Sequence, residues 1–288
     1  MSFTGDLAGP SPPADGVEAV VTTALDPTPD QRDRARRLAR ELKVPFVERR
    51  RKGLSHLAEA PTLRLPGFAA VSARPVVVVE RSGLAVWVGE TRLVYHPGMA
   101  LHRLRQLERG LSDPMLEAMA LEGGETVIDA TLGLGSDALV AAYAVGEAGK
   151  VVGLEAVAIL AVLVREGLKS YPWPQADYRE AADRIEVRID DHLRFLEGAQ
   201  PGSADVVYFD AMFERPLSGS ASMVAWRRLA RPGAVLPQAL ALARRVARRR
   251  VVVKDRRDSA RLDQLGPPQR LGGRSSRVVY GVWPAIGR

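Results

Sequence analysis

The chain has 288 residues, 46% hydrophobic and 26% charged, with 41 lysines and arginines against 34 acids for a formal charge of +7. This is the balance of a globular protein with two modest domains or one large one. The absence of cysteine excludes disulfides, thiolate metal sites and a cysteine nucleophile. No signal-peptide layout opens the sequence, and the longest strongly apolar run, 156–164, is far short of a membrane span, so a cytoplasmic protein is expected.

Residues 1–16 are rich in Pro, Gly, Ser and Asp and read as a disordered tail. From 17 to about 95 a small α/β domain is expected. A strand over 17–24 leads into a turn where Thr28 can cap a helix and Pro29 can start it. The helix over 30–42 sets Ala35, Leu38, Ala39 and Leu42 against arginines. A short strand at 44–48, a helical piece at 54–60 and a hairpin at 75–88 turning at Arg81-Ser-Gly83 follow. This part holds no nucleophile, metal cluster or phosphate loop; it suits a recognition role or a purely structural one.

Residues 96–105 link to a second domain, 96–288. His102, Arg103, Arg105 and Arg109 can meet phosphate or occupy a solvated helix face. The basic clusters at 32–43, 49–52, 103–109 and 244–257 suit a polyanion such as RNA, and equally a coding bias toward arginine. Ser112-Asp-Pro114 starts a helix that Gly123-Gly124 ends. From residue 126 strands alternate with helices. Strands are expected at 126–129, 150–155, 185–190, 204–210, 250–254 and 277–283, and helices at 136–145, 157–170, 192–197, 219–230 and 236–248. The pattern predicts an α/β, Rossmann-like open parallel sheet with helices on both faces. Ligands bind such sheets at the carboxyl ends of the strands.

The first of these strands ends on Asp129, and the turn Gly133-Leu-Gly135 opens a helix. Gly133-x-Gly135-x-x-Ala138, with Glu155 beyond it, satisfies a dinucleotide pattern. Asp129 shifts the choice: an acid before the glycines disfavours a pyrophosphate and suits the ammonium of a methionine group. S-adenosylmethionine is therefore expected rather than NAD; a structural turn without ligand is the plain alternative. Glu155 can accept both ribose hydroxyls or cap the next helix. Asp191, better spaced than Asp190, can take an adenine amine or cap the helix beginning at His192. Asp210 can accept a hydrogen bond and a proton from an exocyclic amine, and Phe213 can stack on the base. Met212 and Phe213 can equally be core. Lys254 can contact a phosphate or the base, or lie solvated past the sheet edge.

Asp129-Ala-Thr-Leu-Gly-Leu-Gly-Ser-Asp137, Gly153-Leu-Glu155, Val206-Val-Tyr-Phe-Asp-Ala-Met-Phe213 and Arg249-Arg-Val-Val-Val-Lys254 together resemble the bacterial small-subunit rRNA guanine-N2 methyltransferases of the J type and their uncharacterised Gram-positive relatives. The resemblance runs from about Met99 to Tyr280. It implies a class I methyltransferase fold, S-adenosylmethionine as donor, and rRNA or the ribosomal small subunit as acceptor. It also implies cofactor contacts at Ser136, Asp137, Glu155, Ala156, Asp191, His192 and Asp210. Thr131, which stands where most class I enzymes have their first glycine and where this family also has Thr, is expected among the cofactor-binding residues, and no metal is expected. The family has Asp-Pro-Met-Phe where this chain has Asp210-Ala211-Met212-Phe213. The carbonyl of Ala211 survives to accept from the target amine, while proline's fixed φ is lost. The rivals are an NAD-dependent oxidoreductase and a non-catalytic RNA-binding protein on a degenerate methyltransferase fold.

Overall fold

The computed structural model describes residues 19–49, 53–58, 74–210, 226, 229, 235–273 and 276–286. The expected tail 1–16, Ala211, Met212 and Phe213 lie outside them. So does the helix expected at 219–230, except that Trp226 and Leu229 are helical and buried.

The N-terminal part begins with β1 (Val20–Thr23) and α1 (Pro29–Leu42). Thr28 and Gln31 form a reciprocal capping box, each side chain taking the other's backbone N–H, and Pro29 fits the first turn, where no N–H is needed. Ala35, Leu38, Ala39 and Leu42 are buried, as their spacing predicts. Lys43, at φ 54°, ends the helix. The strand expected at 44–48 is reduced to one bridge, Val21 with Phe46, and the helical piece to α2 (Ser55–Ala58). The hairpin is β2 (Val76–Glu80) and β3 (Gly83–Val88), extended by an unforeseen β4 (Thr91–Val94). The sheet order is β1-β2-β3-β4, with β1 and β2 parallel and the rest antiparallel.

The linker contains a helix, α3 (Ala100–Glu108), followed by α4 (Pro114–Met119), which starts at the expected Ser112-Asp-Pro114 with Asp113 as its cap. Ala120, at φ 42°, stops α4 before the two glycines are reached. Next come β5 (Thr126–Asp129), α5 (Ser136–Val145), β6 (Lys150–Glu155), α6 (Ala158–Ser170), α7 (Ala176–Asp183), β7 (Ile185–Ile189), α8 (His192–Gly198) and β8 (Ala204–Asp210). The described chain continues with α9 (Pro237–Val246), β9 (Ala247–Arg256), α10 (Ala260–Leu265), β10 (Gln269–Leu271) and β11 (Val278–Pro284).

These strands form a seven-stranded sheet ordered β10-β11-β9-β8-β5-β6-β7. The parallel expectation holds for β5 to β9 and fails at one edge. There β11 runs antiparallel to β9, and β10 antiparallel to β11. Hydrophobic runs report burial, not direction, and the short connection between β10 and β11 can only join antiparallel neighbours. Successive residues alternate between the faces. Val206, Tyr208, Val252, Tyr280 and Val282 join the core under α5, and Val207, Phe209, Val251 and Val253 join the one under α8 and α9.

The two sheets share a continuous core. Helix α6 packs on β3, and a side chain at Gly167 would lie 2.1 Å from the Tyr95 ring. Ion pairs from Arg34 to Glu166 (2.6 Å) and from Arg165 to Glu41 (2.6 Å) join α1 to α6 above this contact.

Candidate active site

The strand order reverses at β5: β6 and β7 extend to one side and β8 to the other. This is the crevice where doubly wound sheets bind ligands. Asp129 and Asp210 end the two strands that flank it.

Between β5 and α5 the chain makes a tight turn in which Gly133 (φ 50°) and Gly135 (φ 72°) adopt left-handed backbone that residues with a side chain rarely adopt. Gly135 is the N-cap of α5 and brings no capping side chain, so the first N–H groups of a ten-residue helix face the turn. Leu132 folds under β6, where a side chain at Gly153 would meet it at 2.5 Å. Thr131 joins the two strand ends. Its backbone N–H donates to Asp129 (3.1 Å), and its Oγ1 accepts from the Asp210 N–H (2.5 Å).

Glu155 and Ala156 stand half-buried at the end of β6, with Glu155 accepting from the Val157 N–H (2.8 Å). Asp191 caps α8 by accepting from the N–H groups of Leu193 (3.0 Å) and Arg194 (3.4 Å). His192 packs edge-on against Phe209. The helix-start half of each paired reading is observed, and both acids also follow the carboxyl end of a strand. The Ser136 hydroxyl donates to the Pro97 carbonyl (2.8 Å), tying the linker to the glycine turn.

Behind the crevice lies a chain of alternating charges. Arg103, on α3, donates to both oxygens of Asp113 (2.7 and 2.9 Å) and to Oδ1 of Asp137. Oδ2 of Asp137 accepts from the Tyr208 hydroxyl (2.7 Å) and from Lys254 Nζ (2.9 Å). Lys254 also donates to Asp210 (2.8 Å). Two sequence expectations are corrected here. Arg103 is on neither a phosphate-facing nor a solvated surface; it is enclosed between two acids. Lys254 is not past the sheet edge, because it is the register partner of Asp210 on β8 and of Tyr280 on β11.

Burial sets the electrostatics. Asp129 is 2% exposed. Burial raises its carboxyl, and the neighbouring charges of Asp137 and Asp210 add to this. Together they outweigh the Thr131 N–H and Lys254 and bring the group to about 8. Burial would also raise Asp137, but Lys254, Arg103 and Tyr208 overcome it and hold this carboxylate well below the usual range. For Asp210, burial pushes up, Lys254 pulls down and Asp137 pushes up again, giving a net rise to about 6. Lys254 is raised well above the ordinary lysine value: burial opposes its charge, and Asp137 and Asp210 prevail.

The chemistry of this donor set decides the cofactor. Acids converge from the ends of β5, β6 and β8 and from the start of α8. A pyrophosphate would bring more negative charge to a pocket where burial and neighbouring acids already disfavour it, whereas a cationic amino acid group joined to a nucleoside brings the charge that favours ionised Asp129 and Asp210. The site fits S-adenosylmethionine and not a dinucleotide. Among the described residues, no group of three or more His, Cys, Asp or Glu could hold a metal ion, and no helix is long and apolar enough to cross a membrane.

Comparisons with known proteins agree. A family model described as "Putative SAM-dependent methyltransferase" matches residues 77–282. "Uncharacterized protein YpiP" of Bacillus subtilis is 34% identical over 248 residues, covering 86% of this chain and 92% of that protein. "Ribosomal RNA small subunit methyltransferase J" of Magnetococcus marinus is 31% identical over 230 residues, covering 72% of this chain and 88% of its own length. Among solved structures, the SAM-dependent methyltransferase NGO1261 from Neisseria gonorrhoeae shares the fold at a TM-score of 0.62 and 18% identity, over 94% of this chain and 97% of that one.

Proposed function

We propose that this chain, which belongs to the family of SAM-dependent methyltransferases related to ribosomal RNA small subunit methyltransferase J and YpiP, methylates a base nitrogen of small-subunit rRNA, with guanine N2 as the target type. S-adenosylmethionine, the family's cofactor, supplies a sulfonium methyl group open to in-line attack by a nucleophile. The observation that carries the reading is Asp210. It ends β8 at the switch point, its backbone fixed by Thr131 and its carboxylate by Lys254. An amine nitrogen that gains a methyl must shed a proton, and a carboxylate poised near neutrality is a suitable acceptor. The J-type relatives' name supplies the rRNA part of the reading, and a cytoplasmic location follows from that substrate.

We assign cofactor holding to Asp129 for the ammonium, to the Thr131–Gly135 turn for the close approach, to Glu155 and Ala156 for the ribose, and to Asp191 and His192 for the adenine. Ser136 and Asp137 act one layer back, because Pro97 engages the first and Arg103, Tyr208 and Lys254 engage the second. Ala211 and Phe213 complete the acceptor side by the same motif argument.

Incubation with labelled S-adenosylmethionine and small-subunit RNA, free and as assembled particles, is expected to label the RNA. Nuclease digestion and mass spectrometry should then return N2-methylguanosine. Label on another nucleoside would replace the guanine assignment, and S-adenosylmethionine binding without labelling of either RNA form would remove the rRNA assignment.

Asp129 gives a two-sided test. Asp129→Asn is expected to weaken S-adenosylmethionine binding by roughly 10- to 100-fold, the worth of one hydrogen bond to a charged group. The same change should stabilise the protein without ligand at pH 8. The folded carboxyl titrates near 8 and an unfolded aspartate near about 4. The native state thus holds a proton that the unfolded chain releases, and stability falls as pH rises across that window. Asparagine removes this slope. Titration calorimetry with melting curves at pH 5 and pH 8 checks both arms. Equal affinity in mutant and parent would detach Asp129 from the cofactor.

A further inference from the structure

We infer that Lys254 is a positioning residue for methyl transfer, acting through Asp210. This rests on the proton-acceptor role proposed above for Asp210 and extends it to a residue outside the cofactor motif. Three observations support it. Lys254 Nζ lies 2.8 Å from Asp210 and 2.9 Å from Asp137, spanning the two carboxylates from one strand position. Its side chain is only 18% exposed, leaving little ammonium surface for a phosphate or a base. Its other anchor, Asp137, is itself fixed by Arg103 and Tyr208, so the lysine cannot swing away without breaking a buried network.

The arrangement sets both the orientation and the charge of the acceptor. The groups around Asp210 are Lys254 on β9, Asp137 on α5, Asp129 on β5, Tyr208 on its own strand, and, one shell further, Arg103 on α3 and Tyr280 on β11. Of these, Lys254 is the cation in contact. Tyr208 and Tyr280 are raised by burial and stay neutral, Tyr280 at about 12. Burial and the neighbouring Asp137 charge oppose ionisation of Asp210. Lys254 therefore keeps a carboxylate in a pocket where burial and Asp137 would protonate it. The proton shed by the target nitrogen passes to an Asp210 oxygen, while Lys254 keeps all three of its protons and fixes the carboxylate's plane.

The test is Lys254→Met, with Lys254→Arg as the charge-conserving variant, in the full-length protein. Three readouts apply: methylation of small-subunit particles across pH 5 to 9, S-adenosylmethionine affinity, and a 13C carboxyl titration in which Asp210→Asn identifies the Asp210 resonance. Lys254→Met is expected to lower kcat at pH 7 by about 2- to 100-fold, the loss of ionised Asp210 that a rise of about 1–3 pH units produces. The acidic limb of the rate profile and the Asp210 titration should both move up by about 1–3 pH units, with cofactor affinity within about threefold. Lys254→Arg should return the titration to within a fraction of a unit of the parent. A Lys254→Met protein with an unmoved Asp210 titration overturns the inference, and so does loss of cofactor binding in parallel with loss of rate. If Lys254→Met does not fold, Lys254→Gln, which keeps a neutral donor one bond short of Nζ, carries the same expectations. The carboxyl titration needs no RNA, so a parent protein that labels no RNA would remove the proposed substrate and leave this inference to its own readout.

Discussion

Arg103→Met is expected to destabilise the protein by about 3–5 kcal/mol, the cost of leaving buried carboxylates without their cation. The arginine is 18% exposed, and it grips Asp113, 8% exposed, and Asp137, 10% exposed, at once. Methionine keeps most of the stem's packing volume, so the loss reports charge rather than a cavity. Asp137 retains Lys254 and Tyr208, and Asp113 retains the N–H groups of Met115 and Leu116. The remaining partners put the effect toward the lower end of that range, and the unfolding temperature should fall by about 5 °C. The pH dependence distinguishes this from a packing defect. Asp137 is held below its unfolded value, so its contribution is present above about pH 4 and is lost as pH falls through the folded value. Without Arg103 that depression shrinks, and the mutant's acid-unfolding midpoint should move to higher pH. An unchanged acid midpoint, or a melting temperature within about 1 °C of the parent, would show that the pair contributes little.

This network was the part of the site least legible in the sequence. The strand-turn-helix unit at 126–145 announces itself through a short apolar run, two glycines and an apolar helix, all local signals. The acids at strand ends follow from the alternation of elements, because a residue closing a strand in such a sheet must lie on the ligand side. Arg103 and Lys254 carry no such mark. A positive charge in the sequence does not say whether it will be solvated, and their partner Asp137 lies 34 and 117 residues away. One signal was available for Lys254. It follows Val251-Val-Val253, as Asp210 follows an apolar run, and parallel neighbouring strands ending level would set the two side by side. Using it required knowing that β9 adjoins β8. The direction of β10 and β11 was hidden for the same reason: pairing is a property of two segments, and periodicity describes only one. The joint between the sheets was equally nonlocal, since Gly167 inside a helix reads as a weakness until Tyr95 is seen lying against it.

Asp210→Asn is expected to reduce methyl transfer by about 100- to 10,000-fold, the range of a lost proton acceptor, while the protein still binds S-adenosylmethionine. The substitution keeps the shape of the side chain and leaves the bond from its backbone N–H to Thr131 untouched. The loop geometry should therefore survive, and the missing element is the carboxylate's basicity. The parent's rate profile should fall on the acid side with a midpoint near 6, where the Asp210 carboxyl titrates. The sign follows from the role: the acceptor must be ionised, so activity is high above that midpoint and lost below it. Asparagine has no ionisation in this range, so the mutant's residual rate should be flat between pH 5 and 7. The asparagine amide also offers an N–H toward Lys254, where the parent offers only acceptor oxygens. If its oxygen turns to the lysine, the N–H faces the target amine as a like donor, which lowers the productive fraction further. Steady-state rates with small-subunit particles at saturating cofactor, taken across that pH range, give the answer. A mutant retaining more than about a tenth of the parent rate with the acidic limb intact would move the proton-accepting role away from Asp210 and assign the observed titration to another group.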